Sequence, residues 1–184
     1  MNKRLFIAAE IPEEIIDNII EIRDEIYGID SKIRWENKEK LHITLKFLGD
    51  TELNLIDSIE KKIENILTEF SSIKTEIKKF GMFKRKGIPS ILMIELFTDK
   101  RLFELHDKID EELASLGFDE ENRKFKPHVT LLRIKGKENL EKLYSFLDYD
   151  FERNNFAINR ISLMESELKP TGSTYKTIKR FELN

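Results

Sequence analysis

Apolar residues recur along the chain in two periods that alternate. Leu5-Phe6-Ile7-Ala8-Ala9 is a short apolar run of strand character. Ile15, Ile16, Ile19, Ile22 and Ile26 follow at helical spacing, with Pro12 and two glutamates at the start, as helix N-termini favour. His42-Ile43-Thr44-Leu45 reads as strand, because isoleucine and threonine are β-branched. Leu53, Ile56, Ile59, Ile63, Ile66 and Leu67 restore the helical period after Gly49-Asp50-Thr51, and Ile73-Lys74-Thr75-Glu76-Ile77 alternates as a strand. The same order returns in the second half. Ile91 to Ile94 predicts a strand, and Leu102, Leu105, Ile109 and Leu113 predict a helix with Gly117 as its stop. His128 opens a strand, Leu140, Leu143, Tyr144 and Leu147 predict a helix, and Phe156 to Leu163 a strand.

This order is an internal repeat. His42-Ile43-Thr44-Leu45 returns as His128-Val129-Thr130-Leu131, 86 residues later, and the flanking runs return at the same offset. The repeat spans approximately residues 4–80 and 90–166. The predicted fold is α+β: a single bilobal domain over 1–184, with two lobes related by a pseudo-twofold axis. Each lobe is expected to be an antiparallel sheet with helices on its outer face and a His-x-Thr strand facing a central cleft.

Composition narrows the function. The chain has 184 residues, 32 Lys+Arg, 35 Asp+Glu and a net charge of −3. A binder of long duplexes usually carries a clear positive excess, so any nucleic-acid role should use a short local site. There is no cysteine, which removes disulfides, thiolate metal sites and cysteine nucleophiles. No apolar run approaches the roughly 20 residues of a membrane span, and the N-terminal run is too short for a signal peptide. The expectation is a cytoplasmic monomer with no membrane association. The absence of glutamine and the richness in Ile, Lys and Glu fit a heat-adapted source, and an AT-rich genome would produce much the same bias.

The two motifs carry chemistry. Side chains alternate faces along a strand, so His42 and Thr44 share one face, opposite Ile43, Leu45 and Phe47. His128 and Thr130 likewise share a face opposite Val129 and Leu131. With the open faces opposed, two imidazoles and two hydroxyls converge. One histidine can take a proton from a nucleophile while the other protonates a leaving group. The hydroxyls can donate to phosphate oxygens between them. A two-histidine metal site lacks a third ligand within the motifs, so no metal is expected, and no cofactor. No Gly-x-x-x-x-Gly-Lys-Ser/Thr loop and no Lys-x-Asp-Gly motif is present. His106 lacks a threonine partner, and a surface or partly packed place on a helix is expected for it.

His42-Ile43-Thr44-Leu45-Lys46-Phe47-Leu48-Gly49 and Pro127-His128-Val129-Thr130-Leu131-Leu132-Arg133 closely resemble the paired motifs of the two-histidine phosphoesterase superfamily. Arg4 to Ala8, Arg34-Trp35, Phe80 to Phe83, Leu163 to Ser166 and Gly172 to Tyr175 resemble further segments of its RNA 2′,3′-cyclic phosphodiesterase family, also called 2′-5′ RNA ligases. The resemblance implies metal-independent opening of RNA terminal 2′,3′-cyclic phosphates to 2′-phosphates. It also implies reversible, ATP-independent 2′-5′ joining of RNA ends such as tRNA halves. On the family pattern His42 is the general acid and His128 the general base, with Thr44 and Thr130 beside them and Arg133 on the phosphate. Strand parity, however, puts Arg133 opposite His128, unless the strand bulges or ends before it. The basic stretch around Phe83, Lys84, Arg85 and Lys86 is a candidate RNA contact or a solvated loop. Tyr175 and Trp35 are candidates for stacking bases or for the core. Two other readings fit the same cleft: a non-catalytic RNA- or nucleotide-binding module, and a phosphodiesterase for small cyclic nucleotides.

Overall fold

The computed structural model describes residues 2–151, 154–170 and 172–183. Positions 152 and 153, within the second predicted repeat, lie outside the described residues. The first half forms β1 (Asn2–Glu10), α1 (Glu13–Tyr27), β2 (His42–Glu52), α2 (Ile56–Leu67) and β3 (Ile73–Arg85). The second half forms β4 (Ile88–Thr98), α3 (Lys100–Ala114), β5 (His128–Arg133), α4 (Leu140–Ser145), β6 (Asn155–Ile158), β7 (Arg160–Lys169) and β8 (Gly172–Glu182).

The strands form one antiparallel sheet in the order β6-β3-β4-β5-β2-β1-β7-β8. The two predicted lobes are its halves, joined where Ile43 of β2 pairs with Val129 of β5. The lobes are not the sequence repeats themselves. β3 leaves the first repeat to pair with β4, and β7 leaves the second to pair with β1. Each lobe thus takes its third strand from the other half of the chain, so cutting the chain between the repeats would cut both lobes. The single strand predicted over Phe156–Leu163 breaks at Asn159: β6 pairs with β3 and β7 with β1.

The basic stretch near residue 84 is not a loop but the end of a hairpin. Lys86 and Gly87 make its turn at φ 52° and 80°, the positive values that a two-residue hairpin of type I′ needs. Asp99 caps α3 by accepting from the Arg101 N–H at 3.0 Å. Gly117, at φ 90°, ends the turn that follows α3, and its N–H donates to Ala114 O at 2.9 Å.

Leu5, Ile7 and Ala9 of β1 join the helices in one apolar core, together with Ile43, Leu92, Ile94 and Val129. Phe6 and Ala8, the alternate positions, are also buried but lie on the opposite, cleft face. His106 is more deeply packed than expected: it is buried on α3 and stacks on Phe125 at 4.1 Å. No helix among the described residues is long and apolar enough to cross a membrane.

Lys46 is the one core-face position of β2 that carries a charge. Its ammonium pairs with Asp110 of α3 and donates to Asp119 O at 2.7 Å. Asp110 also accepts from the Glu121 N–H at 2.9 Å. This group anchors the loop that leads to His128. Removing one member of a buried pair strands the other charge. Lys46→Ala is therefore expected to lower the unfolding free energy by about 3 kcal/mol in a urea titration. A loss below roughly 0.5 kcal/mol, the scale of an exposed pair, would contradict this account.

Candidate active site

The junction of the lobes builds the site. Ile43 and Val129 are fully buried toward the helices, so the residues on either side of each face the cleft. Because the strands are antiparallel, this register sets His42 beside Thr130 and Thr44 beside His128. All four are half-buried. The structure therefore brings together the two histidines and two threonines that the motifs single out.

A bulge just past each threonine re-aims the side chains beyond it. Thr44 pairs with Ala8, but the next pair is Lys46 with Ile7. Thr130 pairs with Met93, and the next pair is Leu132 with Leu92. Leu45 and Leu131 are the extra residues, and each pair of neighbours, Leu45-Lys46 and Leu131-Leu132, is buried. One inserted residue flips the parity beyond it. Arg133 thereby returns to the face of His128 and Thr130, which resolves the conflict that plain alternation creates. Phe47 must be corrected for the same reason. It was expected among the core residues with Ile43 and Leu45, but is 69% exposed on the cleft side.

The two imidazoles are held differently. His128 Nδ1 lies 2.7 Å from Lys126 O. A neutral ring so placed carries its proton on Nδ1 and leaves Nε2 free toward the cleft. Phe83 meets this ring edge-on at 5.0 Å. His42 stacks on Phe6 at 5.1 Å and meets Tyr175 edge-on at 5.6 Å. Its Nδ1 is buried without a hydrogen-bond partner. Burial, and secondarily the nearby His128, pushes the His42 imidazole down from 6.5 to about 4. Burial also pushes the Tyr175 phenol up, with Glu36 acting in the same direction.

Two cavities open here. The larger, of about 940 Å³, is lined by Arg133 and Tyr175 and also by Arg4, Arg34, Lys40 and Lys135. The other, of about 690 Å³, has His42 and Tyr175 in its wall. Tyr175, a candidate for stacking or for the core, thus stands between the two. Trp35 also borders the larger cavity, but it packs edge-on against Tyr27 at 5.3 Å and bridges to Leu132, so its ring serves mainly the core. Lys84, Arg85 and Lys86 are exposed at the hairpin end and line neither cavity. Sequence reasoning did not single out Arg4, Arg34, Lys40 or Lys135 as site residues. They come from separate segments and share no spacing. The only local signal was the period of two in β1, which puts Arg4 on the face of Phe6.

An eight-stranded antiparallel sheet carrying two His-x-Thr units on its central strands is the architecture of a two-histidine phosphoesterase. The sequence pattern of the 2′-5′ RNA ligase superfamily matches residues 12–170, and the chain belongs to that family. An RNA 2′,3′-cyclic phosphodiesterase of Methanocaldococcus jannaschii is 34% identical over 97% of this chain and 99% of its own. One of Thermotoga maritima is 33% identical over 95% and 92%. A crystal structure of Escherichia coli LigT complexed with 3′-AMP shares the fold, with a TM-score of 0.77 at 22% identity, over 100% of this chain and 99% of that one.

The depressed His42 value has two measurable consequences. In the free protein, NMR should show the His42 ring titrating near pH 4, and a value near 6.5 would contradict its burial. Between those two values the unfolded chain binds the proton and the folded one does not. Stability should therefore fall as pH drops from about 6.5 to about 4 and level off below. His42→Gln should flatten that part of the stability profile.

Proposed function

We propose that this protein opens RNA 2′,3′-cyclic phosphates to 2′-phosphates by metal-independent acid–base catalysis. The observation that carries this reading is the interleaving of the two motifs, which gives each histidine the other motif's threonine as its neighbour across the strand pair. A cyclic phosphate seated over the junction has an imidazole on either side and hydroxyl donors between them. His128 Nε2, its ring oriented by Lys126 O, takes the proton of the attacking water. The water oxygen bonds to phosphorus, the bond from phosphorus to the 3′ oxygen breaks, and His42 protonates that oxygen. Thr44, Thr130 and Arg133 stabilise the charge gathered on the non-bridging oxygens.

An acid must hold a proton, and His42 in the free protein gives its proton up near pH 4. The anionic substrate supplies what is missing. A phosphate monoanion against a buried ring favours imidazolium and raises its pKa on binding. Binding a 2′-phosphate product should accordingly move the His42 titration upward. With an RNA 5′-hydroxyl in place of water, the same steps in the same direction join two ends through a 2′-5′ bond without ATP. Their reversal, attack of the 3′-hydroxyl on that bond, restores the cyclic phosphate and frees the 5′-hydroxyl. The ring strain of the cyclic phosphate supplies the free energy, and tRNA halves are suitable substrates. The names of the relatives support the substrate class.

Activity is expected to persist in EDTA. His42→Ala and His128→Ala should each reduce hydrolysis of a cyclic-phosphate-ended oligonucleotide by about 100- to 10,000-fold. Thr44→Val and Thr130→Val, which preserve shape, should cost about 10- to 1,000-fold. Near-normal turnover in either histidine variant, or activity lost in EDTA and restored by zinc, would refute the mechanism. The product phosphate should be on the 2′ oxygen.

A further inference from the structure

We infer that His106 is a positioning residue for the base: stacked on Phe125, its ring holds the Lys126 carbonyl where that oxygen keeps the His128 proton on Nδ1. This rests on the proposed reaction, in which His128 Nε2 takes the proton of the attacking water.

The chain between α3 and β5 is held in place by side chains. From Asp119 to Lys126 it makes no backbone–backbone hydrogen bond among the described residues, and every residue of that stretch except Phe125 is exposed. Two positions of α3 supply the tethers. Asp110 holds the start, by accepting from the Glu121 N–H at 2.9 Å and by pairing with Lys46, which also donates to Asp119 O. One helical turn earlier on the same face, His106 holds the end. Its buried ring lies nearly parallel to that of Phe125, 4.1 Å away with 14° between the planes, and Phe103 meets Phe125 edge-on at 5.7 Å. The His106 Nδ1 lies 2.8 Å from the Asp107 carboxylate, so its polar edge is satisfied while its face stacks.

The placement passes to His128 through few torsions. Pro127 confines Lys126 to extended backbone and has its own φ fixed, so the Lys126 carbonyl follows the position of Phe125. That oxygen lies 2.7 Å from His128 Nδ1. An unrestrained imidazole favours the Nε2–H tautomer, in which the nitrogen toward the cleft has no lone pair to receive a proton.

The first repeat is an internal control. At the offset of 86, His106 corresponds to Ile20, Phe125 to Glu39 and Pro127 to Leu41. Glu39 is exposed, and no ring stack can form between it and an isoleucine. In that half the histidine Nδ1 is buried without a hydrogen-bond partner. The half with the stack has the anchored imidazole, and the half without it does not. The pseudo-symmetry thus breaks where one histidine must serve as base.

Long-range nitrogen-15 NMR reads the tautomer of each histidine, and hydrolysis of a nucleoside 2′,3′-cyclic phosphate reads its consequence. In the wild type, His128 in its neutral form should be the Nδ1–H tautomer. His106→Ala and Phe125→Leu should each mix in the Nε2–H form. Each should lower kcat about 10- to 100-fold with KM little changed, the scale on which outer partners of a functional imidazole act. His106→Phe keeps a flat ring against Phe125 and should restore both the tautomer and kcat. Ile19→Val, a buried change in α1 of the other repeat, should lower stability and leave both readouts at wild-type values. An Nε2–H tautomer in the wild type overturns the inference. So does an unchanged tautomer or an unchanged kcat in the two stack-breaking variants, an equal loss of kcat in Ile19→Val, or no rescue by His106→Phe. If the wild type hydrolyses no cyclic phosphate, the proposed reaction fails, and the tautomers still decide whether the stack orients His128.

Discussion

The pairing of Ile43 with Val129 is the contact on which the site depends. It joins two half-sheets that otherwise have separate partners: β1, β7 and β8 on one side, β3, β4 and β6 on the other. Because both residues are driven into the core by their burial, the residues beside them have no choice of face. A slip of either strand by one residue would turn its histidine into the apolar core and its aliphatic neighbour into the cleft. The exchange of β3 and β7 between lobes protects the register, since neither half of the chain can shift without dragging a strand from the other lobe.

Two bulges at equivalent positions refine the pattern. By inserting one residue past each threonine, they end the alternation that placed the histidines and threonines and re-aim the second residue after the bulge at the cleft. In the second motif that residue is Arg133, and in the first it is Phe47. The symmetry of the fold thus survives at the paired histidines and threonines, and is broken at this position. One wall offers a cation, the other an apolar ring. The same insertion turns Lys46 inward, where Asp110 and Asp119 O meet it and secure the approach to His128.

The repeat made the α+β class, the pseudo-symmetry and the four central residues legible in the sequence. A doubled His-x-Thr is a local pattern, and strand parity over two residues is reliable. Parity failed at residues 47 and 133, because a bulge is a property of the paired strands and leaves no mark in one strand's composition. The exchange of β3 and β7 was hidden for a related reason: apolar alternation says that a strand exists, not which edge it joins. The cationic cavity was the least visible feature. Arg4, Arg34, Lys40 and Lys135 come together only through tertiary folding, whereas the consecutive Lys84-Arg85-Lys86 draws the eye and ends at an exposed turn. The low proton affinity of His42 was equally out of reach, since it comes from the Phe6 and Tyr175 rings packed around it.

The central claim is that both histidines move protons while water attacks phosphorus directly. That claim fixes the stereochemistry. A single in-line displacement inverts phosphorus, whereas attack by an imidazole to form a phosphohistidine, then hydrolysis, restores the original configuration. Hydrolysis of one diastereomer of a nucleoside 2′,3′-cyclic phosphorothioate in water enriched in oxygen-18 yields a chiral thiophosphate whose configuration can be assigned by phosphorus NMR after derivatisation. Inversion is the predicted result, and retention would contradict the acid–base account.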